Sequence, residues 1–211
     1  MSDAISTVLV IDDDPDLRAS VGRLLRSLSI NVQLFASISD FLKSDLPDCP
    51  TCLVLDIRMP DQSGLELQRE LAAANRDIPI IFVTGHGDIP MSVQAMKGGA
   101  IEFLTKPFRD QDLLDAIQLG LSRDRARREN EKDLAGLRER FGSLSPRERE
   151  IMIQVARGRL SKQIAHEIGI AEATVKVHRS RAMQKMQAGS LPELGQMASK
   201  LKLVPDTPQR S

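Results

Sequence analysis

VLVIDDD at residues 8–14 and LVLDIRMP at residues 53–60 decide the fold. Each is a short apolar run that passes directly into aspartate. Runs of this length, rich in Val, Leu and Ile and without alternation, read as strands buried on both faces, the habit of a parallel sheet. Residues 32–35, 80–83 and 101–104 are further short, mainly apolar runs. Between the runs, apolar residues fall mostly at helical spacings: Leu17, Val21, Leu24, Leu25 and Leu28, then Leu65, Leu67 and Leu71, then Val93 and Met96, then Leu113, Leu114, Ile117 and Leu121. Five strands alternating with five helices predict an α/β domain with a doubly wound parallel sheet and right-handed crossovers. Sites in such sheets lie outside the carboxyl ends of the strands, at the point where strand order reverses.

That rule gives the aspartates a purpose. Asp12 and Asp13 end the first strand and Asp56 ends the third, so all three converge in one pocket if those strands are neighbours. Carboxylates so close repel one another, and an oxygen-seeking cation with few protein ligands, Mg²⁺ or in its place Mn²⁺, relieves the repulsion. The fourth strand ends in Thr84 and the fifth is followed by Lys106-Pro107. A divalent cation, a carboxylate, a hydroxyl and an ammonium together suit a phosphoryl group held covalently on aspartate.

The 211 residues carry no net charge, yet the charge is divided along the chain. Residues 1–122 hold 10 Lys and Arg against 18 Asp and Glu, and residues 143–211 hold 12 against 6. An acidic front and a basic back predict two modules, one for cations or cationic partners and one for a polyanion. No apolar run is long enough for a membrane span, and the start MSDAIST lacks the features of a signal peptide. Two cysteines are too few for a disulfide framework. These features predict a soluble cytoplasmic protein that does not act on membranes.

Residues 123–142 continue the last front-half helix without Gly or Pro until Gly136, with Leu134, Leu137 and Phe141 at 3,4 spacing, and read as a helical linker ending at Gly142. Ser145-Pro146-Arg147-Glu148 then supplies an N-cap, a proline at the first helical position and a capping-box glutamate. Helices over 146–157, 161–168, 172–187 and 191–202 follow, and the turn Gly169-Ile170-Ala171 between two of them spells helix-turn-helix. Ile164, Ala165 and Ile168 are expected to pack on Val175 and Met183, turning Lys176, Val177, His178, Ser180 and Arg181 to solvent. Residues 206–211 are expected to be a disordered tail.

VIDDDPDLR, LVLDIRMPDQSG, VTGHGD and LTKPF, in this order, resemble the receiver domain of two-component response regulators. The resemblance covers roughly residues 5–122, within a receiver domain over 1–122, and implies a flavodoxin-like (βα)5 fold. It makes Asp56 the phosphoacceptor, Asp12, Asp13 and the Arg58 backbone carbonyl the remaining Mg²⁺ ligands, and Thr84 and Lys106 the partners of the phosphoryl oxygens. It also places Phe103 at an aromatic switch position and implies a cis Lys106–Pro107 bond.

LSPREREIMIQVARGRLSKQIAHEIGIAEATVKVHRSRAMQKM, within residues 143–205, resembles the four-helix DNA-binding domain of the NarL/FixJ (LuxR-type) class. By that resemblance Lys176 and Val177 meet base edges, with His178 and Ser180 on the same face. Lys162, Gln163, Thr174, Arg179, Arg181 and Lys185 become candidate phosphate contacts, which position a protein without specifying sequence. The stripe Leu191, Leu194, Met197, Ala198 and Leu201 is either core or a dimer seam. GHGDIPM and the charged linker place the chain near FixJ-like members.

The two resemblances imply a regulator and not an enzyme. Its partners would be a cognate sensor histidine kinase, double-stranded DNA and RNA polymerase, with a homodimer forming on phosphorylation. Two other readings compete. A haloacid-dehalogenase-type phosphatase needs a second Asp two residues after the nucleophile, and Arg58 stands there. A constitutive DNA binder could use its receiver only as a dimerisation scaffold. Cys49-Pro50-Thr51-Cys52 spells CxxC, but His86, His166 and His178 are distant in sequence, and Cys52 reads most simply as a small core hydrophobe.

Overall fold

Strand β1, Thr7–Ile11, is buried at every position, as is β3, Thr51–Asp56, and between them in the chain lie helix α1, Pro15–Ser27, strand β2, Asn31–Phe35, and helix α2, Ile38–Leu42. Helix α3, Gly64–Ala73, strand β4, Ile80–Thr84, helix α4, Ile89–Lys97, strand β5, Glu102–Thr105, and helix α5, Asp110–Gly142, complete the α/β part. The computed structural model describes residues 6–85 and 89–204. His86 and the tail expected over residues 206–211 lie outside them.

The sheet is parallel with order β2-β1-β3-β4-β5, which puts the reversal of strand order between β1 and β3. Alternate side chains feed opposite faces. Leu9, Ile11, Leu53, Leu55 and Phe82 pack with α2, α3 and Ala95 of α4 on one side, while Val8, Val10, Val54, Ile81 and Val83 pack with α1 and α5 on the other. The central strands are therefore apolar between their ends, with polar residues confined to Thr7, Thr51, Asp56 and Thr84 at the strand termini, and the edge strands β2 and β5 are less buried. Local chemistry starts the helices. Asp14 caps α1 by accepting from the Asp16 and Leu17 amides, and Ser63 with Glu66 forms a capping box on α3.

The described residues divide into two compact units at Arg128 and Glu129, inside the segment read as a linker. In the first unit, Asp124 of α5 is 2% exposed and accepts from the Thr51 amide at 2.8 Å and from the guanidinium groups of Arg127 and Arg128. In the second, Leu137 of the same helix is buried with Leu144 and Met152. The expected linker is thus committed to a core at each end, because its buried acid and its buried leucine each have partners distant in sequence.

The second unit continues with α6, Pro146–Ala156, α7, Ser161–Ile168, α8, Glu172–Met186, and α9, Leu191–Lys200. Helix α8 stops one residue short of the expected end because Gln187 takes φ +59° and caps it, and α9 stops at Lys200. Gly169, at φ +69°, ends α7 in the left-handed region that a residue with Cβ avoids. Ile164, Ala165 and Val175 form one small core. Met183 belongs to the other core, with Leu144, Met152, Ala182 and Met186. Eight residues beyond Val175 it is rotated roughly 80° around the helix, away from α7.

Candidate functional site

The carboxyl ends of β1, β3 and β4 bring the acidic and hydroxyl residues together. Asp12 and Asp56 are 1% and 6% exposed, Thr84 is fully buried, and Asp13 is exposed. One oxygen from each of the three carboxylates lies within 4.8 Å of the others. Lys106 reaches in from beyond β5, its Nζ 2.7 Å from Asp12 Oδ2 and 2.6 Å from Asp56 Oδ2. Its backbone N–H donates to the Thr84 carbonyl at 2.8 Å, which fixes the lysine beside the threonine, and the Lys106–Pro107 bond is cis.

Each carboxylate is oriented from its own loop. Asp12 Oδ1 accepts from the Asp14 amide and Asp56 Oδ1 from the Arg58 amide, both at 2.9 Å. Arg18 donates to the Asp12 backbone carbonyl. The Arg58 side chain is exposed. Gly64 closes the loop behind Asp56, where an added Cβ would stand 2.6 Å from the Asp56 carbonyl oxygen.

Burial raises the Asp12 carboxyl above its ordinary value, and hydrogen bonds from Lys106 and the Asp14 amide oppose it only in part. Burial is also the largest single influence on Lys106 and pulls its pKa down. Hydrogen bonds and charge from Asp12 and Asp56 outweigh that pull together, so the ammonium is held above its ordinary value. The result is one cation shared by the ends of two neighbouring strands. Phe103 is half-buried against the core containing Leu9 and Phe82. Cys49 and Cys52 are both free thiols, and burial, with the charge of Asp124 adding to it, pushes Cys52 up to about 12. A thiol so protonated behaves as a core side chain and not as a nucleophile.

In the second unit, α8 presents Lys176, Val177, Ser180 and Arg181 to solvent, with Val177 48% exposed. Lys176 is ion-paired at 2.8 Å with Glu172 of the same helix. Lys162, Gln163 and Thr174 are exposed, and the Gln163 side chain accepts from the Leu160 amide at the start of α7. Of the remaining candidates on α8, His178 departs from the expected exposure, and Arg179 and Lys185 have partners within the unit. His178 is half-buried, with Nδ1 shielded from solvent and lacking a hydrogen-bond partner, because it falls between Val175 and Ala182 on the buried stripe. Arg179 is half-buried and donates to Ser161 Oγ at 3.2 Å. Lys185 is exposed and also reaches back to Glu148, Nζ to Oε2 2.7 Å.

The sequence reading missed Gln184, which is exposed on the same face as Val177 and Ser180. Helical periodicity from Val177 could have found it. It also missed the acid Asp124 and the partner of Glu148, neither of which has a local signal.

Residues 8–118 match the family described as response regulator receiver domain, and residues 142–198 match the one described as bacterial regulatory proteins, luxR family. The chain is similar to nodulation protein W of Bradyrhizobium diazoefficiens, 52% identical over 92% of this chain and 86% of that one. The chain belongs to the response regulators. It is likewise similar to response regulator protein TodT of Pseudomonas putida, at 45% identity over 96% of this chain and 89% of the other. Among solved structures, response regulator StyR matches with TM-score 0.83 and 49% identity, covering 93% of this chain and all of that one. As a response regulator of the NarL/FixJ class, this protein is a two-component transcriptional regulator that joins a receiver to a LuxR-type DNA-binding domain. No helix among the described residues is long and apolar enough to cross a membrane.

Proposed function

We propose that Asp56 accepts a phosphoryl group from a sensor histidine kinase, and that this modification favours a homodimer whose α8 helices read duplex DNA. The observation that carries the first step is the lysine bridge: Lys106 Nζ contacts Asp12 and Asp56 at the carboxyl ends of adjacent strands. Three carboxylates within 4.8 Å suit a small hard cation, so Asp12, Asp13, Asp56 and the Arg58 backbone carbonyl would hold Mg²⁺ or Mn²⁺. The metal would supply positive charge against the oxygens of the incoming group.

The Asp56 oxygen attacks phosphorus, a P–O bond forms, and the P–N bond to the kinase histidine breaks, the electron pair leaving on the imidazole nitrogen. Lys106, already held at Asp56, then meets a phosphoryl oxygen, with the Thr84 hydroxyl on another. Thr84 and Phe103 lie on adjoining strands, and a shift of Thr84 toward the phosphoryl group would free space for Phe103 to repack. Regulation of this kind is a population shift, so the phosphoryl group must interact more favourably with the dimer-competent state. The protein would act on transcription with RNA polymerase in the cytoplasm, as a regulator and not as a turnover enzyme. Its modules would be a receiver over 1–122, a connecting helix over 123–142 and a DNA-binding domain over 143–205.

Two measurements test the proposal. Acetyl phosphate with Mg²⁺ should label the wild-type chain and not Asp56→Asn, and equal labelling of both removes Asp56 from the role. Selection from a random duplex pool, run with and without beryllofluoride and Mg²⁺, should recover a binding sequence more strongly in the activated arm. Equal recovery in the two arms would favour a constitutive binder.

A further inference from the structure

Helix α8 carries polar residues of two kinds. Val175, Ala182 and Met186 are buried and, at about 100° per residue, define one stripe facing the core of the unit. Val177, Ser180 and Gln184 fall opposite that stripe and are exposed. Arg179 and Lys185 lie on its two flanks.

Both flanking cations are held from inside. Arg179 donates to Ser161 Oγ at the first residue of α7. Lys185 Nζ lies 2.7 Å from Glu148 Oε2 and 3.4 Å from the Ser143 carbonyl. Glu148 is only 3% exposed, and the same Oε2 accepts from the Ser145 amide at 2.8 Å. The carboxylate is therefore a fixed point at the start of α6, while its cation comes from the last turn of α8.

Apolar packing sets how near α8 lies to α6 but resists rolling poorly, since an alanine is small and a methionine pliable. A charge-assisted hydrogen bond to a buried carboxylate is directional and does resist it. We infer that Glu148 and Lys185 are a positioning pair that sets the roll of α8, and so determines which side chains face the bases. Lys185 then serves sequence recognition without touching DNA. The inference rests on the proposal that α8 reads duplex DNA.

The test uses the full chain with beryllofluoride and Mg²⁺, the duplex recovered by selection, a random-sequence duplex, and a salt titration of each. Glu148→Gln and Lys185→Met should each lower affinity for the selected duplex about tenfold, the size of one mispositioned contact. Affinity for the random duplex and the salt slope should stay at wild-type values, the double variant should bind no worse than either single one, and Lys185→Arg should restore most of the affinity. Arg181→Ala provides the contrast, a slope lower by about one. If Lys185→Met does not fold, Lys185→Gln, which keeps a donor, replaces it. A slope reduced by about one in Lys185→Met, with Glu148→Gln unchanged, makes Lys185 a phosphate contact and overturns the inference. Equal losses on both duplexes, accompanied by a lower melting temperature, overturn it as general destabilisation. A wild-type chain that prefers no duplex defeats instead the underlying reading of α8.

Discussion

Lys106 Nζ lies 2.6 Å from Asp56 Oδ2, so the carboxylate proposed as phosphoacceptor is already held by the cation proposed to meet the phosphoryl group. The same ammonium contacts Asp12 at 2.7 Å. Lysine and a bound metal would therefore compete for the same carboxylate charge, and the two effects can be separated by mutation.

Removing the lysine should strengthen metal binding. In Lys106→Met the three carboxylates lose their resident cation and repel one another more, so Mg²⁺ affinity measured by titration calorimetry should rise while stability falls by about 1–3 kcal/mol. Unchanged or weaker Mg²⁺ binding would count against competition.

Side-chain and backbone ligands should be distinguishable as well. Asp13→Ala should weaken Mg²⁺ binding. Arg58→Ala should leave it largely intact, because the exposed Arg58 side chain is not the proposed ligand. A large loss in Arg58→Ala removes the carbonyl assignment.

The surface formed by α4 and the edge strand β5 should become a dimer interface on activation. Ile89, Val93 and Met96 of α4 are 79%, 44% and 45% exposed, and β5 has a partner on one side alone. Sedimentation should show the mass doubling with beryllofluoride and Mg²⁺, and Val93→Asp should prevent it. A beryllofluoride-treated chain that stays monomeric is incompatible with this switch.

On α8, two exposed cations should behave differently. Lys176→Ala should cost about 1–3 kcal/mol on the selected duplex and relax preference at one base pair. Arg181→Ala should weaken binding to every sequence alike. Even loss across all operator variants in Lys176→Ala would make Lys176 a backbone contact.

Glu148 should contribute to acid stability. The Lys185 hydrogen bond first, and the Ser145 amide next, hold its carboxyl at about 2 against an ordinary 4.5. A carboxyl with lowered folded-state pKa adds stability that is complete above its unfolded value and disappears as pH falls through the folded one. Chemical denaturation followed by circular dichroism should thus show Glu148→Gln losing stability at pH 7, with the gap to wild type closing between about pH 4.5 and 2. A gap independent of pH over that window excludes this ion pair as its source.

The fold was legible because its signals are local. Strands buried on both faces are apolar along their middles, so residues 8–11 and 53–55 announce themselves, and strand-end aspartates mark the site as soon as a doubly wound sheet is assumed. Ser63 with Glu66 and Ser145 with Glu148 are caps that a span of four residues specifies. The exposed face of α8 follows from periodicity for Lys176, Val177, Ser180 and Arg181.

What remained hidden depends on partners far apart in the chain. Lys185 looks like any surface cation until the fold brings Glu148, 37 residues away, to 2.7 Å. Asp124 lies in a run of charges that reads as solvated, yet it ends up buried against the Thr51 amide, 73 residues away. His178 has the spacing of a solvent-facing residue on one count and of the buried stripe on another, and only packing chose between them. Sequence alone determined which strands, caps and carboxylates this protein has, because strand burial and capping act over a few residues. Tertiary structure decided which charges are paired and with which partner, because a charge finds its counterpart only when folding brings the two within hydrogen-bonding distance.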